Sequence, residues 1–380
     1  MIYFDNSATT KPYKEVLDSF LKVSAGYFGN PSSLHGIGGQ AEKLLGQARS
    51  QVARLMGVKA AEVIFTSGGT EGNNLALKGA ALANRGRGKH IITTQIEHDS
   101  VANAARQLEE LGFEVTYLPV NKEGFIDTAA VNAAIRDDTI LVSVIHTNNE
   151  VGTIQPVGEI GQMLKDFPKV LFHVDYVQGA GKLPLDIYGS NIDLCTISGH
   201  KFHGLKGTGA LFVRDGVKLL PLLSGGGQEG ERRNGTENVA GMVAMAKALR
   251  MSSERWERNM GLINEIMGTI KSGLAEMPEI IIHTPAENSA PHILNFSVKG
   301  FKAEVFIHAL EEKGIYVSTT SACSSRKSRP SKTLLAMGVP DGVAESAIRI
   351  SLSEENTLAE AKAAAGAIRE TVKQLGEVMK

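Results

Sequence analysis

A lysine and a cysteine stand out in this chain as candidate nucleophiles. The segment Ser198-Gly199-His200-Lys201-Phe202-His203-Gly204 lies just beyond a β-branched run, in a glycine-rich stretch that continues through Gly207 and Gly209. Such a turn can hold Lys201 partly desolvated, which lowers its pKa and frees the amine for imine formation. A lone lysine beside two histidines is more often solvent-facing. What sets this one apart is Asp175, at the end of the run 170–174, because a lysine imine with pyridoxal phosphate needs an acidic partner for the pyridinium nitrogen. The second nucleophile is Cys323, within Ser321-Ala322-Cys323-Ser324-Ser325-Arg326-Lys327-Ser328-Arg329-Pro330. Small, polar and basic neighbours predict an exposed loop whose cations favour the thiolate, lowering a pKa that starts near ~8.5. The bland alternative is an incidental surface cysteine. Cys195, inside an apolar run, reads as buried and inert.

Other polar residues recur just past apolar runs. Glu97-His98-Asp99-Ser100 follows Ile91 to Thr94 and opens a helix with Asp99 or Ser100 as cap, so His98 stands either at a ligand-facing strand end or merely in a capping region. Asn148-Asn149-Glu150 follows Leu141 to Ile145 in the same relation, and Gln178 lies one turn beyond Asp175. Ser67-Gly68-Gly69-Thr70-Glu71 joins Val63 to Thr66 to a helical pattern; glycines at such a turn offer backbone N–H groups to a phosphate, or form a simple capped turn. The Gly-x-Gly-x-x-Gly pattern at Gly225, Gly227 and Gly230, and its looser form at Gly36, Gly38 and Ala41, lack the strand before and helix after that a dinucleotide site requires. His200 and His203 with Cys195 lack a paired-cysteine ligand motif, so no metal is expected.

These residues need a scaffold that brings strand ends together. Short runs at Val63–Phe65, Ile91–Thr93, Val115–Tyr117, Ile140–Val144, Val170–Val174, Leu194–Ile197 and Ala210–Val213 provide seven strands. Segments at helical spacing between the earlier ones, Asn73 to Ala83 and Val101 to Leu111, predict an α/β fold with a mostly parallel seven-stranded sheet covered by helices on both faces. A long helical pattern from Val239 to Ala275 then leads to a smaller α+β unit. Its strands are expected at 280–282, 293–296, 315–317 and 348–350, and its helices near 302–313 and 357–378. We divide the chain into a large domain, 15–255, and a small one made of 1–14 and 256–380. Hydrophobic residues at 42% and charged residues at 21% exclude a mainly disordered chain. A net charge of -1 gives no general pull toward nucleic acid or anionic membranes. Two cysteines cannot build a disulfide framework, and no signal segment or membrane span is read, so a cytoplasmic location is expected.

Taken together, Tyr3-Phe4-Asp5-Asn6-Ser7-Ala8-Thr9-Thr10, Gly29-Asn30-Pro31-Ser32-Ser33-Leu34-His35, Thr66 to Glu71, Glu97-His98, Asn148 to Gly152, Ser198 to Lys201, Asn234 to Asn238 and Ser321-Ala322-Cys323 resemble the cysteine desulfurases of the NifS/IscS kind. These are pyridoxal-phosphate enzymes of the class V aminotransferase family with the fold type I architecture, and the resemblance covers essentially the whole chain. It implies that Lys201 carries the cofactor, Asp175 pairs with the pyridine nitrogen and His98 stacks on the ring. Gln178 and Asn149 act around the ring oxygen, Asn149 also near the substrate carboxylate. Gly69, Thr70, Ser198 and His200 hold the phosphate, which Thr236 reaches from the other subunit of a homodimer. Arg349 grips the carboxylate of L-cysteine, and Cys323 takes the sulfur as a persulfide, leaving alanine. The sulfur then passes to an acceptor protein for iron–sulfur assembly or for thiolation of tRNA or thiamine, with no direct nucleic acid or membrane contact. The sequence departs from the family at Tyr176, at Leu205 and in the basic residues Arg326, Lys327 and Arg329. The competing readings are a transaminase or lyase of the same fold, against which Cys323 argues, and a non-catalytic sulfur relay, against which Lys201, Asp175 and His98 argue.

Overall fold

The computed structural model describes residues 1–319 and 330–378. Its strands in chain order are β1 (Ile2–Tyr3), β2 (Val63–Thr66), β3 (His90–Thr94), β4 (Glu114–Leu118), β5 (Thr139–Ile145), β6 (Leu171–Asp175), β7 (Leu194–Ser198), β8 (Gly209–Val213), β9 (Ile280–Ile282), β10 (Ile293–Val298), β11 (Ile315–Tyr316), β12 (Ser318–Thr319) and β13 (Ala347–Ser351). The seven runs read from the sequence all enter one sheet of order β2-β8-β7-β6-β5-β3-β4. Only β8 runs against its neighbours; it pairs antiparallel with β2 and β7.

Period-two alternation sends neighbouring residues to opposite faces, and here both faces are buried. Phe65, Ile92, Val142, Phe172, Cys195 and Phe212 pack into one core, with Leu45 and Val52 of helix Gly36–Met56 and Met242 to Met251 of helix Val239–Ala275. Ile64, Ile91, Leu141, Leu194 and Leu211 pack into another, with Leu75 to Ala81 and Val101 to Leu108. This double burial is why the strands read as continuous apolar runs rather than alternating ones.

Helix Val239–Ala275 starts at Asn238, whose side chain accepts from Gly241 N at 3.0 Å. Its second half changes partners: Trp256, Ile263, Ile266, Ile270 and Leu274 join Phe4, Phe296, Phe306, Ile348 and Ile368 in a separate core. The smaller unit carries a sheet of order β12-β13-β10-β9, flanked by helices Ala303–Glu312 and Leu358–Val378.

Some elements differ from the sequence reading. The run 315–317 is not one strand, because the chain changes partner at Val317: β11 pairs parallel with β1, and β12 pairs antiparallel with β13. The helix after β2 begins at Gly69, earlier than Asn73, and passes through a π-helical stretch, Leu75–Gly79, before ending at Asn84. Helices Lys14–Gly26 and Gly36–Met56 are additions to the elements expected from the sequence.

Candidate active site

Strands β2 to β7 all run in one direction, so their carboxyl ends share one edge of the sheet, where open α/β folds bind ligands. That edge gathers the Gly68-Gly69-Thr70 turn after β2, Glu97 and His98 after β3, Asn148 and Asn149 after β5, Asp175 at the end of β6, and Ser198 at the end of β7. A short 3-10 turn, Gly199–Lys201, follows Ser198 directly.

Asp175 is buried, and its two oxygens have different partners. Oδ1 accepts from Val177 N at 3.0 Å, and Oδ2 accepts from Asn73 Nδ2 at 2.7 Å. The same Asn73 amide donates to Ser100 Oγ at 2.8 Å, and Ser100 Oγ lies 2.8 Å from His98 Nδ1. His98 is therefore the cap of helix Asp99–Glu110, accepting from Ser100 N at 3.1 Å, and is also linked through two side chains to Asp175. The capping role and the ligand-facing role coexist in this histidine. Burial lowers its pKa, as does Lys201, while the negative charge of Asp175 opposes the shift. His200 is driven down to about 3, by burial first and then by the charges of Lys201 and Lys206. Both imidazoles are therefore neutral near pH 7.

Lys201 points at the N-terminal segment. Its Nζ donates to the carbonyl of Ser7 and, at 3.0 Å, to that of Ala8. Gln178 Nε2 donates to the same Ser7 carbonyl at 3.0 Å. Thr10 N and Thr10 Oγ1 donate to the His200 carbonyl at 2.9 and 3.0 Å, and His200 Nδ1 lies 3.3 Å from Thr9 Oγ1. The segment Tyr3 to Thr10 is recognisable in sequence as a motif but not as part of the site. Its contacts with Lys201 and Gln178 explain that, since they run through backbone carbonyls, which side-chain identities do not advertise. Asn73 also escapes a reading by sequence; its position one helical turn beyond Gly69, on the same face, is the available signal.

At the phosphate-type turn, Gly68 has φ 151, a value side chains rarely adopt. A Cβ on Gly69 would stand 2.9 Å from Val177 Cγ2 and 3.4 Å from Ser198 Cβ, so the turn packs tightly between the ends of β6 and β7. Thr70 is exposed. Thr236 is exposed too and lines, with Thr66, Ser67, Gly207 and Met242 of the same chain, a cavity of about 190 Å³. Its loop is tied to the turn by Arg233 Nε donating to Glu71 Oε1 at 2.7 Å, while Ser67 N donates to Glu71 Oε2 at 2.7 Å.

Arg349, on β13, is 2% exposed. Its Nη1 donates to the Asn149 carbonyl at 2.8 Å, its Nη2 to Asp5 Oδ1 at 2.9 Å, and its Nε is buried without a partner among the described residues. Asn148, in contrast, is structural: Nδ2 donates to the Ile96 carbonyl, and Oδ1 accepts from Glu150 N and Val151 N. Tyr176 is accommodated because its ring fills the space that a Cβ on Gly179 would occupy, 2.3 Å from Tyr176 Cε2, and its hydroxyl donates to the Leu183 carbonyl. Leu205 packs against the first core. Cys323 and its basic neighbours lie outside the described residues.

The side chains gathered here can be tested against pyridoxal phosphate. Ser198 Oγ, Gln178 Oε1 and Asn73 Oδ1 are buried without a partner among the described residues; since buried polar atoms are nearly always matched, these residues have capacity for a polar ligand. Lys201 would offer an amine to the aldehyde and Asp175 a carboxylate to the ring nitrogen. The Gly68 to Thr70 turn, Ser198 and His200 would offer groups to a phosphate. The residues fit the cofactor.

Comparison with known proteins agrees. The class-V aminotransferase model matches residues 2–363. A NifS/IcsS protein homolog from Lactobacillus delbrueckii subsp. bulgaricus is 49% identical over 363 residues, covering 95% of this chain and 94% of its own. A cysteine desulfurase IscS from Methanosarcina thermophila is 44% identical over 356 residues, covering 94% of this chain and 88% of its own. Among solved structures, a NifS-like protein superposes with TM-score 0.92 at 37% identity, covering 99% of both chains. SspA in complex with cysteine superposes with TM-score 0.82 at 34% identity, covering 93% of this chain and 99% of that one. The chain therefore belongs to the pyridoxal-phosphate-dependent class-V aminotransferase family, among its cysteine desulfurases of the NifS/IscS kind.

Proposed function

We infer that this chain converts L-cysteine to L-alanine and takes the sulfur as a persulfide on Cys323. The observation that carries this reading is the convergence of Lys201, Asp175 and His98 on one sheet edge, with Arg349 opposite, in a chain 49% identical to a NifS/IcsS homolog. Arg349 binds the substrate carboxylate through a charge-assisted contact suited to a planar guanidinium. Lys201, with its amine held beside the N-terminal carbonyls, moves the proton at the substrate α-carbon. Asp175 keeps a proton on the ring nitrogen, and neutral His98 offers an imidazole face to the ring. When bound, pyridoxal phosphate supplies an electron sink for the charge left at the α-carbon. The Cys323 thiolate attacks the substrate sulfur; the carbon–sulfur bond breaks, a sulfur–sulfur bond forms and the three-carbon product leaves as alanine, so L-cysteine plus thiol gives alanine plus persulfide.

Cys195 does not take this part. It is 0% exposed in the sheet, and burial pushes its thiol far above the ordinary range, with the Asp175 charge adding to the effect. Supporting roles for Gly69, Thr70, Ser198 and His200 at the phosphate, for Gln178 and Asn149 around the ring, and for a partner's copy of Thr236 in a homodimer belong to the same reading. The sulfur acceptor is a protein of iron–sulfur assembly or of tRNA or thiamine thiolation. None of the described helices is long and apolar enough to cross a membrane.

The test is mass spectrometry after incubation with L-cysteine. A persulfide on Cys323, lost in Cys323→Ser while the visible cofactor absorption persists, is the expected result. A persulfide mapped to Cys195 alone would overturn it.

A further inference from the structure

The N-terminal segment touches both ends of the site. Two of its carbonyls, Ser7 and Ala8, accept from Lys201, and two residues earlier the side chain of Asp5 accepts from Arg349. We propose that Asp5 is a positioning residue for the substrate carboxylate: it and the Asn149 carbonyl fix the Arg349 guanidinium so that its remaining N–H groups, Nε among them, are held in one orientation for the substrate. The proposal rests on the reading that Arg349 binds that carboxylate.

Three observations carry it. First, the partners of Arg349 divide its donors unequally. Nη1 gives one N–H to Asn149 O at 2.8 Å and Nη2 one to Asp5 Oδ1 at 2.9 Å, whereas Nε is buried with no acceptor among the described residues. A buried N–H on a charged group is costly to leave unmatched, and a carboxylate is the acceptor a guanidinium edge matches best. Second, Asp5 cannot drift. Its residue bridges to Ser351 of β13, two positions beyond Arg349, and around it Asn6 N donates to Ser351 O at 3.2 Å, Ser7 N to Ser351 Oγ at 2.8 Å and Ser351 N to Phe4 O at 2.7 Å. The carboxylate and the guanidinium therefore sit on one stitched unit, in fixed register. Third, the side chain of Asp5 is free for this task, because the local turn is made by its backbone carbonyl, which accepts from Ala8 N at 3.0 Å and Thr9 N at 3.4 Å. Removing the carboxylate leaves those bonds in place.

A guanidinium released from Asp5 keeps its charge but not its aim. Binding of a carboxylate then suffers, while the chemistry at Lys201, whose contacts are to the Ser7 and Ala8 carbonyls, does not. The holoenzyme is assayed with L-cysteine, and binding of the product L-alanine is measured by calorimetry. Asp5→Ala is expected to raise KM at least tenfold and weaken L-alanine at least tenfold, with kcat within threefold and visible cofactor absorption unchanged. Asp5→Asn, which keeps an oxygen for Nη2, is expected to stay within threefold of the parent KM. Should Asp5→Ala fold poorly, Asp5→Ser serves, its hydroxyl being too short to reach. An unchanged KM in Asp5→Ala, or a fall in kcat with KM unmoved, overturns the proposal if Arg349→Gln raises KM tenfold or more in parallel. An unchanged KM in Arg349→Gln instead removes the reading beneath it, and the proposal with it.

Discussion

Glu97 is the residue beside His98, and its carboxyl is buried in an unusual way. Oε1 accepts from Thr94 Oγ1 and from Ile145 N, both at 2.8 Å, while Oε2 is buried with no partner. Burial raises its pKa from 4.5 to about 8; the two hydrogen bonds oppose the rise and the charge of Asp175 adds to it. The sign follows from linkage. Between these values the native state holds a proton that the unfolded chain has lost, so stability falls as pH rises from about 4.5 to about 8 and then levels off. At ~1.4 kcal/mol per pH unit the full loss is on the order of 5 kcal/mol, of which roughly 2 to 3 kcal/mol falls above pH 6. Glu97→Gln keeps the Oε1 acceptor and cannot ionise, so it removes this dependence. We expect the melting temperature of Glu97→Gln, with cofactor saturating, to match or trail the parent at pH 5 and to exceed it progressively from pH 6 to 9. Scanning fluorimetry across that range is the assay. Parallel curves for the two proteins would show that the carboxyl is already ionised in the native state, and would refute the reasoning.

The remaining predictions concern three other places. Lys201→Ala should lose the visible cofactor absorption while the protein stays folded by circular dichroism; a covalent cofactor that still resists dialysis and reduces onto the chain would contradict the assignment. Glu354 is buried, which disfavours its charge, yet the approach of His203 Nε2 to 3.4 Å from Oε2, with a hydrogen bond from Tyr13, outweighs burial and holds its pKa at about 2. That lowered value stabilises the fold above about pH 4.5 and is lost as pH falls toward 2. Glu354→Gln should therefore cost on the order of 3 kcal/mol at pH 7, with the gap to the parent closing in acid; a gap that stays constant from pH 7 to pH 3 in urea melts would count against this. Gly161 in helix Val157–Leu164 lies against the next loop so closely that a Cβ would stand 1.7 Å from the Ser190 carbonyl oxygen. Gly161→Ala should cost about 3 kcal/mol or more through forced backbone shifts, whereas Gly158→Ala, with 3.8 Å to Ser190 Oγ, should be near neutral in the same melts.

The large sheet is legible in the sequence because its strands are buried on both faces and must be continuous apolar runs, and because a parallel sheet leaves polar ligand residues just past each run. Residue order alone therefore marks Lys201, Asp175, His98, Asn149 and Ser198 as candidates, and the sheet topology puts them at one edge. The turn after β2 announces itself by glycines, and Gly68, with φ 151, shows why such a position is recognisable. The partners of these residues are not legible. Lys201 meets carbonyls 193 and 194 residues away in the chain, and backbone carbonyls look alike in every sequence. Asp5 meets Arg349 across 344 residues, a pairing set by the register of the N-terminal segment on β13. The change of partner at Val317 is hidden because a strand's apolar pattern records burial without naming its neighbour. Local pattern reports how a residue faces its core; which distant groups share a site is decided by the packing of elements against each other, and that exists only once the chain has folded.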